Sequence, residues 1–126
     1  RTNLSTGAKW EDIVGYSRAV KIGNLIAVSG TTAVDENNNI IGKNDPYLQT
    51  LFIFQKIEKA LKQLGATMDN VIRTRMFVTN INSWEEIGKA HGEFFKNIKP
   101  AATMLEVSKL IDPELLVEIE VDAVIE

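Results

Sequence analysis

Leu115-Leu116-Val117-Glu118-Ile119-Glu120-Val121-Asp122-Ala123-Val124-Ile125 is the stretch that decides the fold. Successive side chains of a strand point to opposite faces. Leu115, Val117, Ile119, Val121, Ala123 and Ile125 therefore form one apolar face, and Leu116, Glu118, Glu120, Asp122 and Val124 lie opposite. An apolar face this long needs helices to cover it. Val71 to Thr79 reads the same way, with Ile72, Thr74, Met76 and Val78 on one side and Arg73, Arg75 and Phe77 on the other. In Ala101 to Ser108, Thr103, Leu105 and Val107 suit the core, so Ala102, Met104 and Glu106 fall on the second face. That second face mixes arginines and carboxylates with Phe77, Met104, Leu116 and Val124. Water seldom faces so many large apolar groups, and a core would not accept the charges, so burial between subunits is expected. The simpler alternative is a solvated face with weak cross-strand ion pairs.

Working outward, Tyr16 to Ile22 and Leu25 to Gly30 are two strand-like runs joined by Gly23-Asn24, a hairpin signal. Asp35 to Asn39 is a polar turn, and Ile40-Ile41 a possible short strand. Asp45-Pro46 caps a helix that Gly65 stops, with Phe54, Ile57, Ala60, Leu61 and Leu64 on its apolar face, widened by Leu51 and Phe52. Ser83-Trp84-Glu85-Glu86 has the form of a capping box, and Trp84, Ile87, His91, Phe94 and Phe95 fall on the buried side of the helix it opens. The order is ββ(β)αβαββ, an α+β domain with two helices on one face of a mixed sheet.

The 126 residues suit one domain, and no linker, repeat or low-complexity tract divides them. No apolar run reaches the ~18 residues of a transmembrane helix. With 14 basic and 17 acidic side chains the net charge is -3, which argues against nucleic acid and anionic membrane as partners. Cysteine is absent, which excludes disulfides and thiolate chemistry and allows a reducing, cytoplasmic location. A single histidine, His91, cannot supply paired imidazoles, so no metal and no cofactor is assigned. The start has no signal-peptide pattern and no initiator Met, so residues before Arg1 are expected.

Gly15-Tyr16, the run Val28-Ser29-Gly30, Phe94-Phe95 and Val117-Glu118-Ile119-Glu120 together resemble the Rid family, also called YjgF, of reactive intermediate deaminases. The resemblance spans roughly residues 13 to 125. It implies a chorismate-mutase-like fold assembled as a homotrimer, sheets facing inward, with three ligand clefts between subunits. Members with deaminase activity hydrolyse 2-imino acids to 2-oxo acids and ammonia, and the arginine of a Pro-Ala-Arg motif on the fourth strand pairs with the substrate carboxylate. The matching segment here is Pro100-Ala101-Ala102-Thr103-Met104, so Ala102 stands where that arginine would be. Met104 replaces a small polar or sulfur residue, and Gly88 an asparagine.

The resemblance also implies cleft roles for Tyr16, Ser29 and Gly30, for Ala102, Thr103 and Met104 on the fourth strand, and for Glu120 as the carboxylate that positions water. The plainer roles are a half-buried aromatic for Tyr16 and an ion pair with Arg73 or Arg75 for Glu120. Arg18 shares the parity of Tyr16 and reaches the same cleft, unless it is only a solvated hairpin charge. His91 reads as a packed helix residue rather than a base; Asn80 and Asn82 have turn and helix-entry roles. Since neutral groups hold a carboxylate far less well than a guanidinium, the expectation is a small-metabolite-binding homotrimer that is no efficient 2-imino acid deaminase. The runner-up is a deaminase using Arg18 or Arg75 instead; RNA cleavage or translation inhibition fits least a sequence that is acidic and has one histidine, no Gly-rich phosphate loop and no basic run.

Overall fold

Pro46 to Gln63 forms the longer helix, α1, because Asp45 in extended conformation accepts the Leu48 N–H at 3.0 Å and Pro46 occupies the first turn. Gly65, at a φ of 84°, ends it as expected. The computed structural model describes residues 1–126. Its strands are β1 (Thr2–Leu4), β2 (Ala19–Ile22), β3 (Leu25–Thr31), β4 (Val71–Val78), β5 (Ala101–Glu106) and β6 (Val117–Val124). The second helix, α2, is Trp84–Phe95. The strands make one six-stranded sheet in the order β1-β2-β3-β6-β4-β5, mixed because only β4 and β5 are parallel.

The apolar side of β6 is buried as read: Val117, Ile119, Val121 and Ala123 pack with Ile53, Phe54, Ile57 and Leu61 of α1. Ile87 and Phe95 bring α2 onto the same layer, and Phe54 meets Phe95 edge-on at 5.2 Å between ring centroids. Gln49 is fully buried among them. Its amide accepts from Leu116 N at 2.8 Å and donates to Glu114 O at 2.9 Å, which anchors the approach to β6.

Several local expectations change. β1 was not expected; it pairs antiparallel with β2. Only Ala19–Ile22 of the first expected run is ladder, and Gly23 alone of the Gly23-Asn24 pair has positive φ. Ile40 makes a single bridge to Val34 rather than a strand. Ser83 makes no side-chain cap; a 3-10 turn at Ile81–Ser83 leads into α2, with Asn80 accepting from Asn82 N. Trp84 consequently lies outward, 56% exposed. A register shift between Val71 and Arg73 turns Ile72 out to solvent. Leu116 precedes the ladder and packs against the core instead of joining the charged face.

The largest correction concerns β5. Its parallel register sets Ala102 beside Thr74 and Met104 beside Met76. Paired residues of neighbouring strands share a face, so Ala102 and Met104 lie on the helix side, where Met104 touches the core. Thr103 and Leu105 lie on the open face and are exposed, contrary to the parity inferred from the sequence.

Candidate functional site

The regular ladder between β3 and β6 breaks at Ser29-Gly30, where the register shifts between Val28 and Thr31. β2 has ended there, so the chain entering it, Tyr16 to Arg18, takes the neighbouring place. Ser29 N bonds Arg18 O at 3.0 Å, and Ser29 Oγ donates to Ser17 O at 2.6 Å. The Arg18 guanidinium donates through one terminal nitrogen to Gly30 O at 2.6 Å. Its Nε is buried with no hydrogen-bond partner, and Arg18 closes no ion pair. Burial holds its pKa below the usual value, against the opposing fields of Tyr16, Glu11 and Glu118.

Glu118 of β6 lies against the same glycine. A Cβ on Gly30 would sit 2.1 Å from Glu118 Oε2, so only glycine lets the carboxylate rest on this backbone. Burial pushes the Glu118 carboxyl up, with Arg18 pulling it down and Glu120 adding to the rise. Behind Arg18, Glu11 is almost fully buried in a short π-type turn, Glu11–Gly15. Burial raises its pKa, but hydrogen bonds from Thr6 Oγ1 at 2.5 Å, Ser5 Oγ at 2.8 Å and Thr6 N at 3.1 Å outweigh that and hold it below the usual range. Tyr16, 40% exposed, follows that turn with its N–H on Glu11 O.

Of the residues named from sequence, Tyr16, Arg18, Ser29 and Gly30 thus come together. Glu120 does not join them. It faces Arg75, whose guanidinium reaches Glu120 Oε1 at 3.4 Å and Asp122 Oδ2 at 3.1 Å. The carboxylate at Gly30 is Glu118, which the sequence reading left out. Its parity was correct, but the bulge at Ser29-Gly30 decides which of the two glutamates meets the glycine.

Ala102, Thr103 and Met104 are also elsewhere. β3 and β5 are separated by β6 and β4, three strand spacings or roughly 14 Å. Next to that edge, over β4, His91 of α2 bonds Thr74 Oγ1 through Nε2 at 2.9 Å, edge-on to Phe54 and tilted against Phe95. Burial lowers its pKa, in keeping with a packed neutral ring.

The arrangement by Gly30 offers a partly uncommitted guanidinium and a half-buried carboxylate at one break in the sheet. Together they suit a small ligand carrying an anionic group and a proton to exchange. No helix of the structure is long and apolar enough to cross a membrane.

The family model described as endoribonuclease L-PSP matches residues 6–125. A structure of Rv2704 from Mycobacterium tuberculosis, described as a member of the YjgF/YER057c/UK114 family, is 46% identical, covers 98% of each chain and superposes with a TM-score of 0.89. YyfA of Yersinia pestis, described as a Rid-family protein of unknown function, is 30% identical over 99% of this chain and 96% of its own, with a TM-score of 0.85. An uncharacterised protein of Streptomyces coelicolor is 36% identical over 95% of this chain and 89% of its own. The chain belongs to the Rid/YjgF/YER057c/UK114 family.

Proposed function

We propose that the chain works as a homotrimer that binds a small anionic metabolite between subunits, with Tyr16, Arg18, Ser29, Gly30 and Glu118 as one wall of each cleft. The observation that carries this reading is Arg18: a partly buried guanidinium with an unpartnered Nε, next to Glu118 but not paired to it. Such a group gains most from a ligand carboxylate, which supplies bidentate acceptors where the protein supplies one carbonyl. The open sheet face supports the trimer. Ile22, Leu25 and Leu105 are each more than 40% exposed on the same face as the Arg75, Glu120 and Asp122 cluster, a mixture that a second chain would cover.

With Ala102 in place of the family arginine, efficient 2-imino acid hydrolysis is not expected from the β5 edge. Arg18 beside Glu118 favours one second reading, a 2-imino acid deaminase in which Arg18 holds the carboxylate and Glu118 orients water. Arg75, committed to two carboxylates, is the weaker substitute. Endoribonuclease activity is not carried over, since a chain of net charge -3 has little to attract phosphates.

Calorimetric titration with 2-oxobutanoate, alongside a coupled amino-acid oxidase assay for 2-imino acid hydrolysis, tests both readings on the intact chain and on Arg18→Gln. Binding that is lost in the variant, with hydrolysis near background, supports the binding reading. Hydrolysis abolished by the substitution supports the second. Neither binding nor hydrolysis with any 2-oxo or 2-imino acid overturns both.

A further inference from the structure

Glu11 is a buried charge that the cleft reading leaves without a role. It is 5% exposed, while the other four residues of its turn, Glu11–Gly15, face solvent. No lysine or arginine pairs with it. A carboxylate so placed is costly unless donors surround it, and here they come from the chain that leaves β1. Ser5 Oγ donates to Oε1 at 2.8 Å, Thr6 N to Oε1 at 3.1 Å and Thr6 Oγ1 to Oε2 at 2.5 Å. The Glu11 carbonyl in turn accepts from Tyr16 N at 3.0 Å.

These bonds tie together the two segments that meet at Arg18. Ser5 and Thr6 follow Leu4, whose carbonyl accepts from Arg18 N at 2.8 Å. Tyr16 lies two residues before Arg18 on the chain entering β2. Glu11 thus clasps the backbone on both sides of the arginine. Its charge acts on the guanidinium as well: burial disfavours both charges, and the field of each group favours the ionised form of the other. A carboxylate in direct contact would occupy the guanidinium, as Glu120 and Asp122 occupy that of Arg75. Because neutral donors fill the Glu11 oxygens, it attracts Arg18 through space and takes none of its N–H groups.

We propose that Glu11 is the positioning residue for Arg18: its clasp on Ser5, Thr6 and Tyr16 fixes the chain entering β2, and its charge holds the guanidinium at Gly30 with Nε unspent for an anionic ligand. The effect on ligand affinity rests on the reading above. The hold on the guanidinium does not.

The test reads the two parts separately on the intact chain. Proton exchange of the arginine Nε–H groups, followed by heteronuclear NMR, reports how firmly Arg18 is held; its signal is identified by its loss in Arg18→Gln. Buried Nε–H of Arg18 should exchange about tenfold more slowly than that of exposed Arg73. Glu11→Gln keeps an acceptor for Thr6 and removes the charge. It should bring the Arg18 exchange to within about twofold of Arg73 and weaken 2-oxobutanoate binding about five- to tenfold by calorimetry. Asp12→Asn removes the same charge from an exposed place in the same turn and should change neither. In the Arg18→Gln background Glu11→Gln should cost no further affinity, although its loss of melting temperature still adds. Should Glu11→Gln fail to fold, Thr6→Val removes one donor from the clasp, with about threefold expected in the same exchange rate.

A Glu11→Gln chain, or in its place a Thr6→Val chain, that melts lower yet keeps slow Arg18 exchange and full affinity makes Glu11 a structural clamp only and overturns the proposal. An equal loss of affinity with and without Arg18 overturns it too. Exchange that depends on Glu11 in a chain that binds no 2-oxobutanoate supports the hold on Arg18 and counts against the ligand reading alone.

Discussion

Arginine meets carboxylate at two places on this sheet, and the two meetings end differently. Between β4 and β6 the ladder is regular, Arg75 stands opposite Glu120, and the guanidinium bridges Glu120 and Asp122. Between β3 and β6 the ladder breaks at Ser29-Gly30, and Arg18 turns to a backbone carbonyl while Glu118 lies on the glycine. The residue types are the same; the register differs. A continuous ladder brings opposite charges face to face and neutralises them, whereas a bulge leaves both with capacity for a third party.

The sharpest way to break this contrast is to neutralise each arginine in turn. Arg18→Gln should weaken 2-oxobutanoate binding by about 10- to 100-fold, the worth of one or two charged hydrogen bonds. Arg75→Gln should change that affinity by less than about threefold, as expected for a half-exposed pair, and should instead loosen subunit association by size exclusion with light scattering. Equal losses of affinity in both variants would erase the distinction.

A second test moves the cation. Ala102→Arg places a guanidinium on an exposed edge residue, so the fold should persist. If the β5 edge of one chain completes the Gly30 cleft of another, Ala102→Arg should restore about tenfold of the affinity lost in Arg18→Gln. A double variant that binds no better than Arg18→Gln alone would place the two edges in different sites.

The two glutamates give a smaller, pH-dependent contrast. The folded pKa of Glu118 is raised by burial, so its contribution to stability is full below the unfolded carboxylate pKa and is lost as pH rises through the folded one. Glu118→Gln should therefore raise the melting temperature at neutral pH, and that gain should vanish in acid. Glu120→Gln should instead lower it slightly at neutral pH by removing a partner of Arg75. Smaller still is the effect of His91, whose folded pKa is depressed by burial. As pH falls below the ordinary histidine value of 6.5 the unfolded chain takes up the proton first, so stability declines. His91→Gln should flatten that slope in thermal melts, on top of a pH-independent loss of stability from the ring packing with Phe54 and Phe95 and the bond to buried Thr74.

Much of this was legible because strands and helices write themselves in short periods. The alternation of Leu115 to Ile125 gave the core face and the charged face, and Asp45-Pro46 and Gly65 bounded α1. The site was only half legible. Tyr16, Arg18, Ser29 and Gly30 lie close in sequence or across one hairpin, so local reasoning places them together, as the backbone and side-chain bonds do. Glu118 was missed because the choice between Glu118 and Glu120 depends on a one-residue shift in a partner strand, which no periodicity within β6 records. Ala102 and Met104 were set on the wrong face for a related reason. In a short edge strand with few neighbours, the parity of Thr103 and Leu105 looks as apolar as that of Ala102 and Met104, and the register with β4 alone decides.

The position of β6 in the sheet has a further consequence. It is the last of the six strands in chain order, yet it lies in the middle, between β3 and β4. Until Val117–Val124 is synthesised, the hairpin of β2 and β3 and the parallel pair of β4 and β5 have no contact through the sheet. Each presents an unsatisfied edge and an apolar face. Closure of the sheet must therefore wait for β6 and then span long connections, a high-contact-order event in which nascent chains are exposed to mispairing. Because the strand that joins the two halves also carries Glu118, the contact between Glu118 and Gly30 cannot form before the sheet is complete.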